Sequence, residues 1–95
     1  MSPEQQLALR RIVIDWLDDN IHFGEAEAMI GGDDDLSMLK NGILDSLGYV
    51  KLILYLEKTC NVRLDPKKLS PSNFDSLRKV VEYVSAMPGF RLPVN

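Results

Sequence analysis

Residues 46–58 read Ser-Leu-Gly-Tyr-Val-Lys-Leu-Ile-Leu-Tyr-Leu-Glu-Lys, and whether they form a strand or a helix decides the fold. The β-branched and aromatic content of Val50 to Leu56 suits a strand. Length argues the other way: a turn-free run from Ser46 to Lys58 exceeds a typical strand of about five or six residues. The helical reading sets Gly48, Lys51, Tyr55 and Lys58 on one exposed stripe with a broad apolar face behind. A helix is therefore expected here, and the rest of the chain follows suit.

Upstream, Ser2 and Pro3 form a helix start, with Gln5 where a capping box places Glu or Gln. Leu9, Ile12, Val13 and Trp16 then recur at helical spacing, so one face of a helix ending near Asn20 is expected to be buried. From Ile21 to about Asn41 the periodicity gives way to scattered acids and glycines, which reads as a long loop. Its apolar residues Phe23, Met29, Ile30, Leu36 and Leu39 are expected to hold it to the core. Downstream, Leu69 to Phe74 reads as a short helical turn, and Leu77, Val80, Val81 and Val84 mark a last helix. The expectation is an all-α fold, a small bundle of three main helices and one short helix, with a long loop after the first. The domain is expected over residues 1–86, with 87–95 as a C-terminal tail.

At 95 residues the chain has room for one core. Eleven Lys and Arg against fourteen Asp and Glu give a net charge of -3 without a basic block, which argues against nucleic acid as a partner. Cys60 is the single cysteine, so no intrachain disulfide can form. The longest strictly apolar run, Leu52 to Leu56, falls far short of the ~18 residues of a membrane span. The polar opening residues lack the regions of a secretory signal, and a cytoplasmic monomer is expected.

Asp-Ser-Leu occurs twice, around Ser46 and around Ser76. Asp75 immediately precedes the apolar pattern of the last helix, where an N-cap carboxylate accepts backbone N–H bonds, and capping accounts for that copy. Asp45 can cap the helix it precedes in the same way. Ser46, however, is delivered by a glycine-bearing loop to an open helix N-terminus, where orphan amides and the dipole favour an attached anion.

The run from Gly42 to Leu64, followed by the run from Leu69 to Val84, resembles the phosphopantetheine-binding acyl and peptidyl carrier proteins. The resemblance covers residues 1 to about 86. It is specific because Gly42-Ile43-Leu44, the Asp-Ser-Leu, the helix length, the Leu56-Glu57 pair and the later Asn73-Phe74-Asp75-Ser76-Leu77 arrive in family order. The resemblance implies 4'-phosphopantetheine, taken from coenzyme A, on Ser46, with Asp45 assisting the transferase. It also implies that the protein is not an enzyme but holds acyl or aminoacyl groups as thioesters. The helix beginning at Ser46 is then the docking surface, and Leu47, Gly48, Tyr49, Lys51, Tyr55, Glu57 and Lys58 are the expected partner-binding residues. Fatty-acid carriers line this helix with acids, whereas Lys51 and Lys58 stand here and Glu57 is its one acid. That departure is more like free-standing carriers serving adenylating ligases, so the implied partners are a phosphopantetheinyl transferase, an adenylating acyl or aminoacyl ligase and acyl-processing enzymes. The alternative is an unmodified helical adaptor that binds partners through the same helix.

Other candidates are weaker. Asp33, Asp35 and Ser37 match the first ligand spacings of a calcium loop, but Met38 and Leu44 occupy the required glycine and glutamate positions. His22 and Cys60 are set aside as a nucleophile and base, because a lone cysteine ending an apolar helix is accounted for by packing. Trp16, Tyr49 and Tyr83 are expected to fill the core or meet a partner.

Overall fold

A computed structural model describes residues 3–64 and 74–93 and shows an all-α fold. Helix α1 runs Pro3–Leu17 and buries Leu9, Val13, Ile14, Trp16 and Leu17 on one face. Helix α2 covers Ala26–Ile30, α3 covers Ser46–Cys60 and α4 covers Leu77–Ser85. The segment that could have been a strand is thus helical throughout. Leu52, Ile53, Leu56 and Cys60 of α3 enter the core beside Leu77, Val80, Val81 and Val84 of α4, which packs along α1. No helix among the described residues is long and apolar enough to cross a membrane. Ser2 and most of the short turn expected at Leu69 to Phe74 lie outside the described residues; Phe74 is buried against Tyr83, ring centroids 4.8 Å apart.

The segment after α1 is more structured than expected. The helix does not stop near Asn20 but widens into a π-helical turn over Asp18–His22, closed by a 2.8 Å bond from the Phe23 amide to the Asp18 carbonyl. The Asp18 carboxylate then accepts from the Ala26 amide at 2.9 Å, and α2 follows within the expected loop. Two buried positions four apart, Ala26 and Ile30, are enough to hold this single turn to the core, a spacing too short to register as periodicity.

The irregular stretch from Gly31 to Leu44 is clamped from both sides. Arg10 of α1 reaches Glu27 and, at 2.9 Å, Asp34, while the Arg78 amide of α4 donates to the Asp34 carbonyl at 2.9 Å. Asp75 fixes the next turn: its carboxylate accepts from the Leu39 amide and the Ser37 hydroxyl, and its carbonyl accepts from the Met38 amide at 2.8 Å. Asp75 is accordingly not the N-cap of α4. Ser76 takes that place, with extended backbone and a hydroxyl accepting from the Lys79 amide at 3.2 Å. The reason is competition, since unpaired amides elsewhere in the fold claim the Asp75 carboxylate and the neighbouring hydroxyl is free to cap.

Beyond α4 the chain turns back to the end of α3. The Arg91 amide donates to the Cys60 carbonyl at 3.0 Å, the Asn61 side-chain amide donates to the Gly89 carbonyl at 3.2 Å, and Phe90 and Leu92 pack on the core. Asn61 itself ends α3 in the left-handed conformation, a role its short polar side chain tolerates.

Candidate functional site

The N-terminus of α3 is assembled from the inside outward. Ile43 and Leu44 are buried and their amides both donate to the Met38 carbonyl, so the chain enters the helix from a fixed point. His22 adds a second anchor, with its ring Nε2 lying 2.6 Å from the Ile43 carbonyl. Asp45 caps the helix, as its sequence position suggested: Oδ1 accepts from the Gly48 amide at 2.6 Å and the carbonyl accepts from Tyr49 at 2.9 Å. The amides of Ser46 and Leu47 lie ahead of that ladder and carry the positive end of the helix dipole.

Ser46 is exposed at this end, and its hydroxyl makes no hydrogen bond among the described residues. Ser76 is its opposite, 3% exposed and engaged as a cap. The two copies of Asp-Ser-Leu therefore differ in environment as sharply as two serines can, one open to a reactant and one committed to structure.

Beside Ser46 lies a groove of about 500 Å³, within the range of small-ligand sites. It is lined by Leu44 ahead of α3, by Gly48 and Lys51 of α3, and by Trp16, Asn20, Ile21 and Leu39 from α1, the π-helical turn and the irregular stretch. A Cβ at Gly48 would fall 2.7 Å from the Leu44 side chain, which would have to shift to admit it. The Trp16 ring is held at the groove by Tyr55, centroids 6.4 Å apart.

The outer face of α3 departs from expectation. Gly48, placed on the exposed stripe by its spacing, is buried against Leu44, and Tyr49, expected to fill the core or meet a partner, is buried in the core. Tyr49 is 8% exposed and its hydroxyl has no hydrogen-bond partner among the described residues; burial and, secondarily, Asp75 raise its pKa above the usual phenolic range. In place of those two residues the surface gains Val50 and Leu54. With Leu47 they are 54–63% exposed, three apolar side chains in a row between Lys51, Tyr55 and Lys58, while Glu57 is half-buried and accepts from the Leu64 amide. The apolar face of α3 is wider than its core contact, and i, i+3, i+7 spacing at 47, 50 and 54 was the signal for a second stripe.

Cys60 is buried, and burial raises its thiol pKa, which suits the packing role expected of it. His22 sits instead at the approach to α3. Asp33, Asp35 and Ser37 are tied up in turn bonds and in pairs to Arg78 and Asp75; among the described residues no cluster of His, Cys, Asp and Glu could hold a metal ion. No protein-family model matches the chain, and comparison with curated proteins finds no match.

Proposed function

We propose that the protein is a carrier whose Ser46 bears 4'-phosphopantetheine and holds acyl or aminoacyl groups as thioesters for partner enzymes. The observation that carries this reading is the contrast between the two serines: Ser46 exposed, without a hydrogen bond among the described residues and at the start of a fifteen-residue helix, Ser76 buried and used as a cap. The fit to the group is good. A phosphodiester on Ser46 sits at the positive end of α3, a placement that favours an anion by about 0.3–1 kcal/mol at an exposed site. Asp45 opposes it with a like charge nearby, and Asp45's bond to the Gly48 amide draws that carboxylate onto the helix.

During attachment the Ser46 hydroxyl oxygen forms the new bond to phosphorus and gives up its proton, and the bond to 3',5'-adenosine bisphosphate breaks as coenzyme A is consumed. Once bound, the group supplies a thiol on a long flexible arm. The protein needs no catalytic residues of its own, because tethering raises the effective concentration of cargo at each partner enzyme. Partner enzymes, a phosphopantetheinyl transferase and an adenylating ligase first, meet Leu47, Val50, Leu54, Tyr55, Lys51 and Lys58 on the outer face of α3, an apolar centre with a basic rim. A cytoplasmic setting, where coenzyme A is plentiful, belongs to this reading.

The test is intact mass after incubation with coenzyme A and a broad-specificity transferase. The wild-type protein and Ser76→Ala gain one phosphopantetheine, and Ser46→Ala gains none. An unmodified wild-type protein would leave the apolar stripe of α3 as the surface of a non-covalent adaptor.

A further inference from the structure

We propose that the cleft at the C-terminal end of α3, between Lys58 and the returning Pro88, is a docking site for an acidic peptide segment of a partner protein. It is independent of what Ser46 carries, since the site lies at the other end of the helix. The cleft measures about 810 Å³, and Leu54, Met87 and Pro88 give it an apolar lining beside two cations, Lys58 and Arg63. Arg91, whose amide donates to the Cys60 carbonyl, adds a third exposed cation at this end of the molecule.

Charge selects the occupant. The chain carries a net charge of -3, yet no ion pair among the described residues engages Lys58, Arg63 or Arg91. Glu57, the one acid of the lining, is half-buried and accepts from the Leu64 amide at 3.3 Å. The end of α3 does not need these cations as caps. The Glu57 carbonyl accepts from the Asn61 and Val62 amides and the Cys60 carbonyl from the Arg91 amide, while the helix dipole favours a cation in the last turn but asks for none at Arg63 beyond it. A locally positive surface on an acidic protein steers an anionic partner to this spot. A peptide fits better than a nucleic acid: carboxylates can meet the Arg63 guanidinium in a two-pronged fork and an apolar side chain can seat on Leu54 and Met87, whereas the lining holds no aromatic ring on which a base could stack.

The experiment titrates the synthetic peptide Glu-Glu-Leu-Asp-Glu-Leu-Glu into the isotope-labelled full chain and follows the backbone amides by NMR, with the uncharged Gln-Gln-Leu-Asn-Gln-Leu-Gln as control. Docking shifts the Val62, Arg63 and Gly89 amides saturably and several-fold more than those of Ser46 and Leu47, and the uncharged peptide leaves them in place. Leu54 and Lys58 also belong to the outer face of α3, so the variants are placed elsewhere in the site. Arg63→Glu weakens the binding several-fold. Lys79→Glu makes the same change of net charge at an exposed lysine of α4 outside the cleft and leaves the affinity near its natural value. Arg91→Glu weakens it as well, and serves as the independent variant if Arg63→Glu folds poorly. Shifts centred on Val50 and Lys51, the absence of saturable shifts in the cleft, or equal weakening by Arg63→Glu and Lys79→Glu overturn the proposal. Tighter binding of a single-stranded thymidine oligonucleotide at the same amides overturns the choice of a peptide.

Discussion

Asp75 and Ser76 are neighbours of similar capping ability, and the fold gives them different work. Asp75 holds the turn over residues 37–39 from thirty-six or more positions away, while Ser76 starts α4. Asp75→Ala removes a charged acceptor from two donors at once and is expected to cost about 1.5–3 kcal/mol. Ser76→Ala is expected to cost about 1 kcal/mol, the usual loss for an N-cap hydroxyl. Ser46→Ala, at an exposed hydroxyl with no bond among the described residues, should fall within ±0.5 kcal/mol. Urea unfolding of the three variants checks the order, and a Ser46→Ala loss as large as that of Asp75→Ala would mean that Ser46 is structural. The Asp45 cap was legible in the sequence because an N-cap bond spans three residues. The Asp75 brace was not, because nothing local distinguishes a carboxylate that caps its own helix from one claimed by amides across the fold.

Helices α1, α3 and α4 were legible for a physical reason: each buries a stripe long enough to impose the helical period. Helix α2 was not, because one turn among acids and glycines carries no period of its own and is held by Asp18 and two small buried contacts. The groove was equally invisible, since its walls come from α1, the π-helical turn, the irregular stretch and α3, and only folding brings them together. Helix α3 presents two cations, Lys51 and Lys58, where fatty-acid carriers present acids. Each exposed pair with a partner is worth only ~0.2–1 kcal/mol, yet the sum acts on encounter and so on association rate. On the carrier reading proposed above, loading of the phosphopantetheine form by a fatty-acid malonyl transferase is therefore expected to be slow. Lys51→Glu combined with Lys58→Glu should raise that rate at low salt and weaken loading by a cognate adenylating ligase, and high salt should shrink both effects. Malonyl loading of the natural protein at the rate of a fatty-acid carrier would refute the charge argument.

Across the whole molecule, Arg10 joins α1 to α2 and to the irregular stretch through Glu27 and Asp34. The bond to Arg10 lowers the Glu27 pKa below 4.5, burial opposing it. A lowered carboxylate contributes stability that is fully present above its unfolded value and is lost as pH falls through the folded value. With Glu27 half exposed the contribution is small, ~0.2–1 kcal/mol. Glu27→Gln should be less stable than wild type by that amount at neutral pH, and the gap should close as pH drops below 4.5. Urea melts along a pH series measure this directly, and a gap independent of pH would assign the loss to packing. Finally, the return of residues 89–92 onto Cys60 and Asn61 places the C-terminal segment at the pole of α3 opposite Ser46, roughly 20 Å away along the helix. A surface linker attached at the exposed side chain of Arg91 would depart from that far pole and leave the Ser46 end of α3 facing solution.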